Sequence, residues 1–137
     1  MSDQPTTVPA RPRVVIADAH TAVVRELQAL LEREFEVVGM VGDGLALVAA
    51  VEKLKPDLVV CDVALPLMDG VTAAREIRKK GSGVPVVFVT VLTEPEVRRH
   101  ALAVAAAFVS KASAGDELVP AVRAALARKR EPPAGTE

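Results

Sequence analysis

The sequence predicts an α/β domain built on a parallel sheet with helices on both faces. Apolar strand-like runs alternate with helix-patterned segments five times, which calls for parallel strands joined by crossover helices. The runs over residues 14–17, 58–61 and 84–89 are apolar without alternation, as strands covered on both faces are. Four runs stop on Asp18, Asp62, Thr90 and Lys111, and ligand sites in such sheets lie at the carboxyl ends of the strands.

Arg13 to Ala17 reads as the first strand, ending on Asp18. Thr21 to Phe35 carries Val23, Leu27, Leu30 and Leu31 at helical spacing, with Arg25, Glu26, Gln28, Glu32 and Arg33 outward. That is an amphipathic helix with Thr21 or His20 near its cap. Glu36 to Val41 is a short Val-rich strand. Gly42-Asp43-Gly44 could pass for a hairpin turn, but a helical pattern follows over Leu45 to Lys55, so Asp43 is expected as an N-cap. Pro56 closes that helix. Leu58 to Cys61 is a buried strand that delivers the Asp62 carboxylate to its end. A charge at the edge of a core needs a cation, a metal or several donors, although a strand-capping Asp would look the same in this segment alone. Pro66 and Gly70 break the backbone around Met68-Asp69, a loop that a helix can leave.

Val71 to Lys80 forms that helix, ended by Gly81-Ser82-Gly83. Val84 to Val89 is the next strand, terminating on Thr90. Thr93-Glu94-Pro95-Glu96 reads as a helix start with Thr93 as cap, and the helix is expected to run to about Ala105. Ala106 to Ser110 is a short strand terminating on Lys111. Ser113 to Lys129 is the last helix, with Leu118, Val122 and Leu126 four apart and basic residues at its end, where the dipole favours cations.

The 137 residues suit one domain, expected over 13–129, with flexible tails over 1–12 and 130–137. Hydrophobic residues make up 50% and charged residues 26%, which places the chain among globular proteins. A net charge of −1 and three Phe with neither Tyr nor Trp argue against a direct nucleic-acid role. The longest apolar run, Ala101 to Val109, is too short to span a membrane. Cys61 is the only cysteine, which excludes an internal disulfide and fits a small core residue in a reducing compartment. With no apolar signal-peptide core in Met1 to Pro12, a cytoplasmic location is expected.

Two carboxylates, a hydroxyl and an ammonium at one sheet end suit phosphoryl chemistry. One carboxylate can hold a covalent phosphoryl group, and a second helps hold a divalent cation. The Lys ammonium offers a point charge to phosphate oxygens, and the Thr hydroxyl a hydrogen bond. Singly, Lys111 reads as a surface lysine and Thr90 as a strand-end hydroxyl; their joint placement points to a site.

These residues resemble the receiver domain of two-component response regulators. The likeness rests on Val14-Val15-Ile16-Ala17-Asp18, Pro56-Asp57 through Asp62 with Leu65-Pro66 and Met68-Asp69-Gly70, Val87-Phe88-Val89-Thr90, and Phe108-Val109-Ser110-Lys111. It implies a doubly wound, flavodoxin-like sheet of five strands in the order 2-1-3-4-5, flanked by five helices. It also implies Asp62 as phosphoacceptor, Thr90 and Lys111 as phosphate-sensing residues, and Phe108 as the aromatic whose rotamer reports the switch. From the residues alone, Phe108 is a core aromatic. Mg²⁺ would be held by Asp18, Asp62 and the backbone carbonyl of Ala64. The implied partners are a histidine kinase or phosphotransfer protein and a separate downstream protein, since no output domain is expected after the last helix. Arg98, Arg99 and His100 are candidate partner contacts or an ordinary solvated helix face.

The chain departs from the family pattern at several positions. Ala19 stands where a second acidic residue is usual, so Asp18 is expected to bind Mg²⁺ weakly or through water. Ala64 and Leu92 cannot position a hydrolytic water by side chain, so slow self-dephosphorylation is expected. Val91 replaces a small residue, and Val104 and Ala107 replace customary glycines. The competing reading is a pseudo-receiver interaction module with impaired Mg²⁺-dependent phosphorylation. A haloacid-dehalogenase-like phosphohydrolase shares the Asp, Thr and Lys but needs an acid where Ala64 stands. Turnover of an external substrate is therefore not expected. His20 has no second His or Cys nearby to make a metal site.

Overall fold

The computed structural model describes residues 10–130. Of the tails expected over 1–12 and 130–137, residues 1–9 and 131–137 lie outside the described residues. Five parallel strands, β1 (Arg13–Ala17), β2 (Glu36–Val41), β3 (Leu58–Cys61), β4 (Val86–Thr90) and β5 (Ala107–Ser110), form one sheet in the order β2-β1-β3-β4-β5. The helices are α1 (Thr21–Leu31), α2 (Gly44–Leu54), α3 (Gly70–Lys79), α4 (Pro95–Leu102) and α5 (Ala114–Arg130). This is the parallel sheet with helices on both faces that the alternation predicts, in the doubly wound order that the resemblance implies. Among the described residues no helix is long and apolar enough to cross a membrane.

The uninterrupted apolar strands feed two cores because successive side chains point to opposite faces. Val14, Ile16, Leu58, Val60, Val87 and Val89 meet Leu27 and Leu31 of α1 and Leu118, Val122 and Leu126 of α5. Val15, Ala17, Val59, Cys61, Val86 and Phe88 meet Leu47 and Val51 of α2, Val71, Ala74 and Ile77 of α3, and Ala101 of α4. Every residue of β3 is therefore buried. On the first face, Arg123 of α5 also pairs with Glu34 after α1.

Several boundaries differ from the periodicity. α1 stops at Leu31, although Phe35 keeps the four-residue spacing and is buried in the same core. The turn is forced by β2, whose first amide at Glu36 donates to the Pro12 carbonyl at 2.8 Å. β4 begins at Val86 because Pro85 has no N–H for the ladder. Thr93 is not the cap of α4. Pro95 occupies the first helical position, which makes Glu94 the N-cap, and it makes no side-chain capping bond. α4 ends at Leu102 rather than Ala105, because the chain must turn to put the Ala106 amide 2.8 Å from the Val86 carbonyl. α5 starts one residue late, at Ala114, after a 3-10 turn over Lys111–Ser113. Asp43 caps α2 as expected, accepting from the Ala46 amide at 2.7 Å.

Gly70 opens α3 directly against the end of β3. A Cβ there would lie 2.2 Å from the Asp62 carbonyl oxygen and 3.0 Å from Cys61 Sγ. Gly70→Ala is expected to lower the unfolding free energy by about 1–3 kcal/mol through overpacking. Gly115→Ala, with nothing within 4 Å of its Cβ, is expected to leave stability unchanged or raise it. Urea denaturation followed by circular dichroism compares the two.

Candidate functional site

The strand order makes β3 the central strand, between β1 and β4, with β5 beyond β4. The β1–β3 register pairs Ala17 with Cys61, so Asp18 and Asp62 follow side by side. Backbone ladders fix both: the Asp18 amide donates to the Val41 carbonyl at 3.1 Å and the Asp62 amide to the Ala17 carbonyl at 2.9 Å. Asp18, Asp62 and Thr90 are 2%, 4% and 0% exposed, which makes them the buried polar side chains of the domain.

Lys111 joins the carboxylates from the far side of the sheet. Its Nζ donates to Asp62 Oδ2 at 2.8 Å and lies 2.9 Å from Asp18 Oδ2. Asp62 Oδ1 accepts from the Ala64 amide at 3.1 Å. Asp18 Oδ1 accepts from the His20 amide at 2.9 Å, and the His20 ring nitrogen Nδ1 stands 3.3 Å from the same oxygen. Asp18 Oδ2 meets the Lys111 ammonium at 2.9 Å and has no other polar partner among the described residues. Thr90 Oγ1 accepts from the Leu92 amide at 3.2 Å, which leaves its proton available to a ligand. Phe108 sits half-buried on β5, paired with Phe88.

Lys111 offsets one of the two carboxylate charges, and the amides of His20 and Ala64 help to solvate the pair. Burial pushes the Asp18 carboxyl up, but the combined pull of Lys111 and of the His20 amide and ring holds it below the usual 3.8. Burial lowers the Lys111 ammonium, yet the pull of Asp62 and then Asp18 leaves it above the usual 10.5. Cys61 is an inert core thiol: burial first, then the charges of Asp62, Asp18 and Asp69, push it well above 9.0.

The donors suit a hard cation. Asp18 Oδ2 is a buried oxygen that faces the Lys111 ammonium and no other polar partner among the described residues, and Asp62 lies beside it. One or two carboxylates and water are the usual protein share of a Mg²⁺ shell. No cluster of three His, Cys, Asp or Glu that could hold a metal ion is found among the described residues. Receiver domains generally bind Mg²⁺ in this pocket.

The structure brings Asp18, Asp62 and Lys111 into contact and puts Thr90 at the end of the adjoining strand β4, with three supports that the sequence reading missed. The His20 amide and ring hold Asp18; a polar residue two positions after a strand-end carboxylate is the signal that was there to read. The Leu92 amide holds Thr90. The Arg98 guanidinium lies 5.6 Å from the centroid of the Phe108 ring, a contact between elements that no local pattern announces.

The pH dependence of stability follows from the two shifts. Asp18, with its folded value lowered, contributes stability above the ordinary carboxylate range and loses it as pH falls through the lowered value. Lys111, with its value raised, contributes below about 10.4 and loses it as pH rises through the raised value. Metal-free protein is thus expected to keep the full contribution from about pH 5 to 10. Lys111→Met is expected to cost about 3 kcal/mol, the low end for stripping buried charges of their partner, and to flatten the alkaline limb. Urea midpoints measured across pH with chelator present check both.

A family model for the response regulator receiver domain matches residues 14–123. The transcriptional regulatory protein PdtaR of Mycobacterium tuberculosis is 37% identical over 132 residues, covering 95% of this chain and 63% of that protein. The DNA-binding response regulator MtrA of Mycolicibacterium smegmatis is 35% identical over 125 residues, covering 90% and 54%. The chain therefore spans between half and two thirds of the length of these curated relatives. Among solved structures, a LuxR-family two-component response regulator from Aurantimonas superposes with a TM-score of 0.82 at 29% identity, covering 87% of each chain. The response regulator domain of Thermotoga maritima CheB superposes with 0.80 at 27% identity, covering 89% of this chain and 99% of that one. With the matched segment running across all four strand-end residues, the chain belongs to the response regulator receiver family of two-component signalling proteins.

Proposed function

We propose that this receiver accepts a phosphoryl group on Asp62 and passes its state to a protein partner. The observation that carries the reading is the convergence of the Lys111 ammonium on the buried carboxylates of Asp62 and Asp18, at 2.8 and 2.9 Å. Asp62 is the nucleophile. An oxygen of its carboxylate attacks phosphorus, an acyl phosphate forms, and the bond to the donor breaks, with the electron pair leaving on the donor's nitrogen or oxygen. A kinase or phosphotransfer histidine fits as physiological donor, its imidazole departing neutral. Lys111 moves from the carboxylate to the phosphoryl oxygens, and Thr90 gives them its hydroxyl proton. Asp18, Asp62 and the Ala64 carbonyl would hold Mg²⁺, which supplies charge neutralisation on the transferring group when bound.

The added charge of about −1.5 to −2 then biases the positions of Thr90 and Lys111 and, through them, of Phe108. Exposed Ala64 and apolar Leu92 offer no side-chain polar atom to orient an attacking water, so the acyl phosphate is expected to be long-lived. Ala64→Asn should shorten its lifetime several-fold; an equally short lifetime in wild type would count against this assignment.

One observation favours a second reading, a receiver-shaped interaction module with impaired phosphorylation. Lys111 already satisfies the pair of acids that remains once Ala19 replaces the usual third. Intact mass after exposure to acetyl phosphate, with Mg²⁺ or with chelator, decides between them. Wild type is expected to gain one phosphoryl adduct that needs Mg²⁺ and disappears in Asp62→Ala. Uptake by Ala19→Asp alone would instead establish the interaction module.

A further inference from the structure

Phe108 stands directly opposite Phe88 in the β4–β5 register, and Thr90 lies two residues beyond Phe88. Thr90, Phe88 and Phe108 thus share one sheet face, with Thr90 and Phe108 as diagonal neighbours. A shift of the Thr90 hydroxyl toward Asp62 changes the space beside the Phe108 ring. The ring itself packs half-buried against the core under α2, α3 and α4.

The other contact of the ring is a cation. Arg98, on the exposed side of α4, holds its guanidinium carbon 5.6 Å from the ring centroid, inside the range of a cation–π attraction. Its neighbours are engaged locally: Arg99 pairs with Glu96 at 4.0 Å, and the His100 ring lies 3.0 Å from the Glu96 carbonyl. Among the described residues the Arg98 side chain makes no ion pair or hydrogen bond, so the ring is its electrostatic partner. The carboxyl end of α4 is also restrained, with Arg78 reaching the Val104 carbonyl at 3.5 Å and Arg128 the Ala106 carbonyl at 2.9 Å. Arg98 is therefore presented from a helix whose following loop, which leads into the strand that carries Phe108, is held to α3 and α5.

We propose that Arg98 is a positioning residue for Phe108: its guanidinium holds the ring in the half-buried position and releases it when Asp62 is phosphorylated. The resting half of the proposal stands on the contact itself, and the release rests on the reading of Asp62 as phosphoacceptor. The energetic consequence is a resting equilibrium weighted toward the ring position seen here, by the factor that one surface cation–π contact supplies. Breaking that contact is part of what phosphorylation must overcome.

The chain has three Phe and no Trp or Tyr, so fluorine NMR of fluorophenylalanine-labelled protein is the direct test, with Phe108→Leu assigning the signal. In unphosphorylated protein, Arg98→Ala is expected to shift or broaden the Phe108 resonance while leaving Phe35 and Phe88 in place, and Arg98→Lys to restore most of the wild-type position. An unmoved signal in Arg98→Ala overturns the proposal. So does an Arg98→Lys spectrum identical to that of Arg98→Ala, which would show that shape rather than charge holds the ring. Phosphoryl uptake from acetyl phosphate is expected to be about two- to five-fold faster in Arg98→Ala, the factor a surface cation–π contact corresponds to. An unchanged rate overturns the coupling to the switch. Wild type that takes up no phosphoryl group at all overturns the Asp62 reading, and the ring measurement then stands separately.

Discussion

Two buried carboxylates on adjacent strand ends need a cation, and Lys111 is the one the fold brings to them. Burying even one unpaired carboxylate costs several kcal/mol. Asp18 and Asp62 are both nearly inaccessible, so the stacking order of β1 beside β3 is tolerable only because β5 ends where its next residue reaches back across β4. The short 3-10 turn from Lys111 to Ser113 serves that need. It lets the chain turn into α5 while the lysine side chain points along the sheet end. The fold and the site are in this sense one constraint, because the same strand order that closes the two cores also places the countercharge.

That constraint explains how much could be read in advance. β3 was legible because Leu58 to Cys61 have no polar residue, and a strand buried on both faces has nowhere to put one. The four strand ends were legible because an apolar run that stops on Asp, Thr or Lys is abrupt. Helix ends were less so. Phe35 continues the four-residue spacing of α1 yet lies beyond its end, since hydrophobic periodicity records which face is buried and not where the hydrogen-bond ladder stops. Thr93 matched a capping pattern, but Pro95 decided the register of α4 by lacking an N–H. The contact between Arg98 and Phe108 spans two elements, and only tertiary structure contains it.

Ala19 changes the electrostatic balance of the pocket rather than its shape. With a third acid, one ammonium would leave a net charge of about −2 buried at the sheet end, and a divalent ion would be the natural complement. With two acids and Lys111 the residual charge is near −1. His20 offsets part of it by turning its amide and ring toward Asp18. The pocket is closer to self-sufficient, so on the proposed reading an incoming cation would compete with an internal one and gain less.

Magnitudes decide which part of such a pocket can act as a switch. A surface cation–π contact is worth about 0.5–1 kcal/mol, whereas moving a two-state equilibrium from 1:99 to 99:1 needs about 5.5 kcal/mol. Arg98 can therefore set the resting balance of Phe108 within a small factor, but it cannot hold the ring against a strong bias. On the proposed function, a phosphoryl group on Asp62 would provide a bias of the larger kind. It would put nearly two negative charges beside Lys111 at a largely buried sheet end, where screening is weaker than in bulk water. In that reading the weak contact would tune the threshold and the strong one would throw the switch. This division also places the tuning on exposed α4, where a residue can change without unsettling either core, and the throw at the buried sheet end, where Asp18, Asp62, Thr90 and Lys111 are fixed by the strands that carry them.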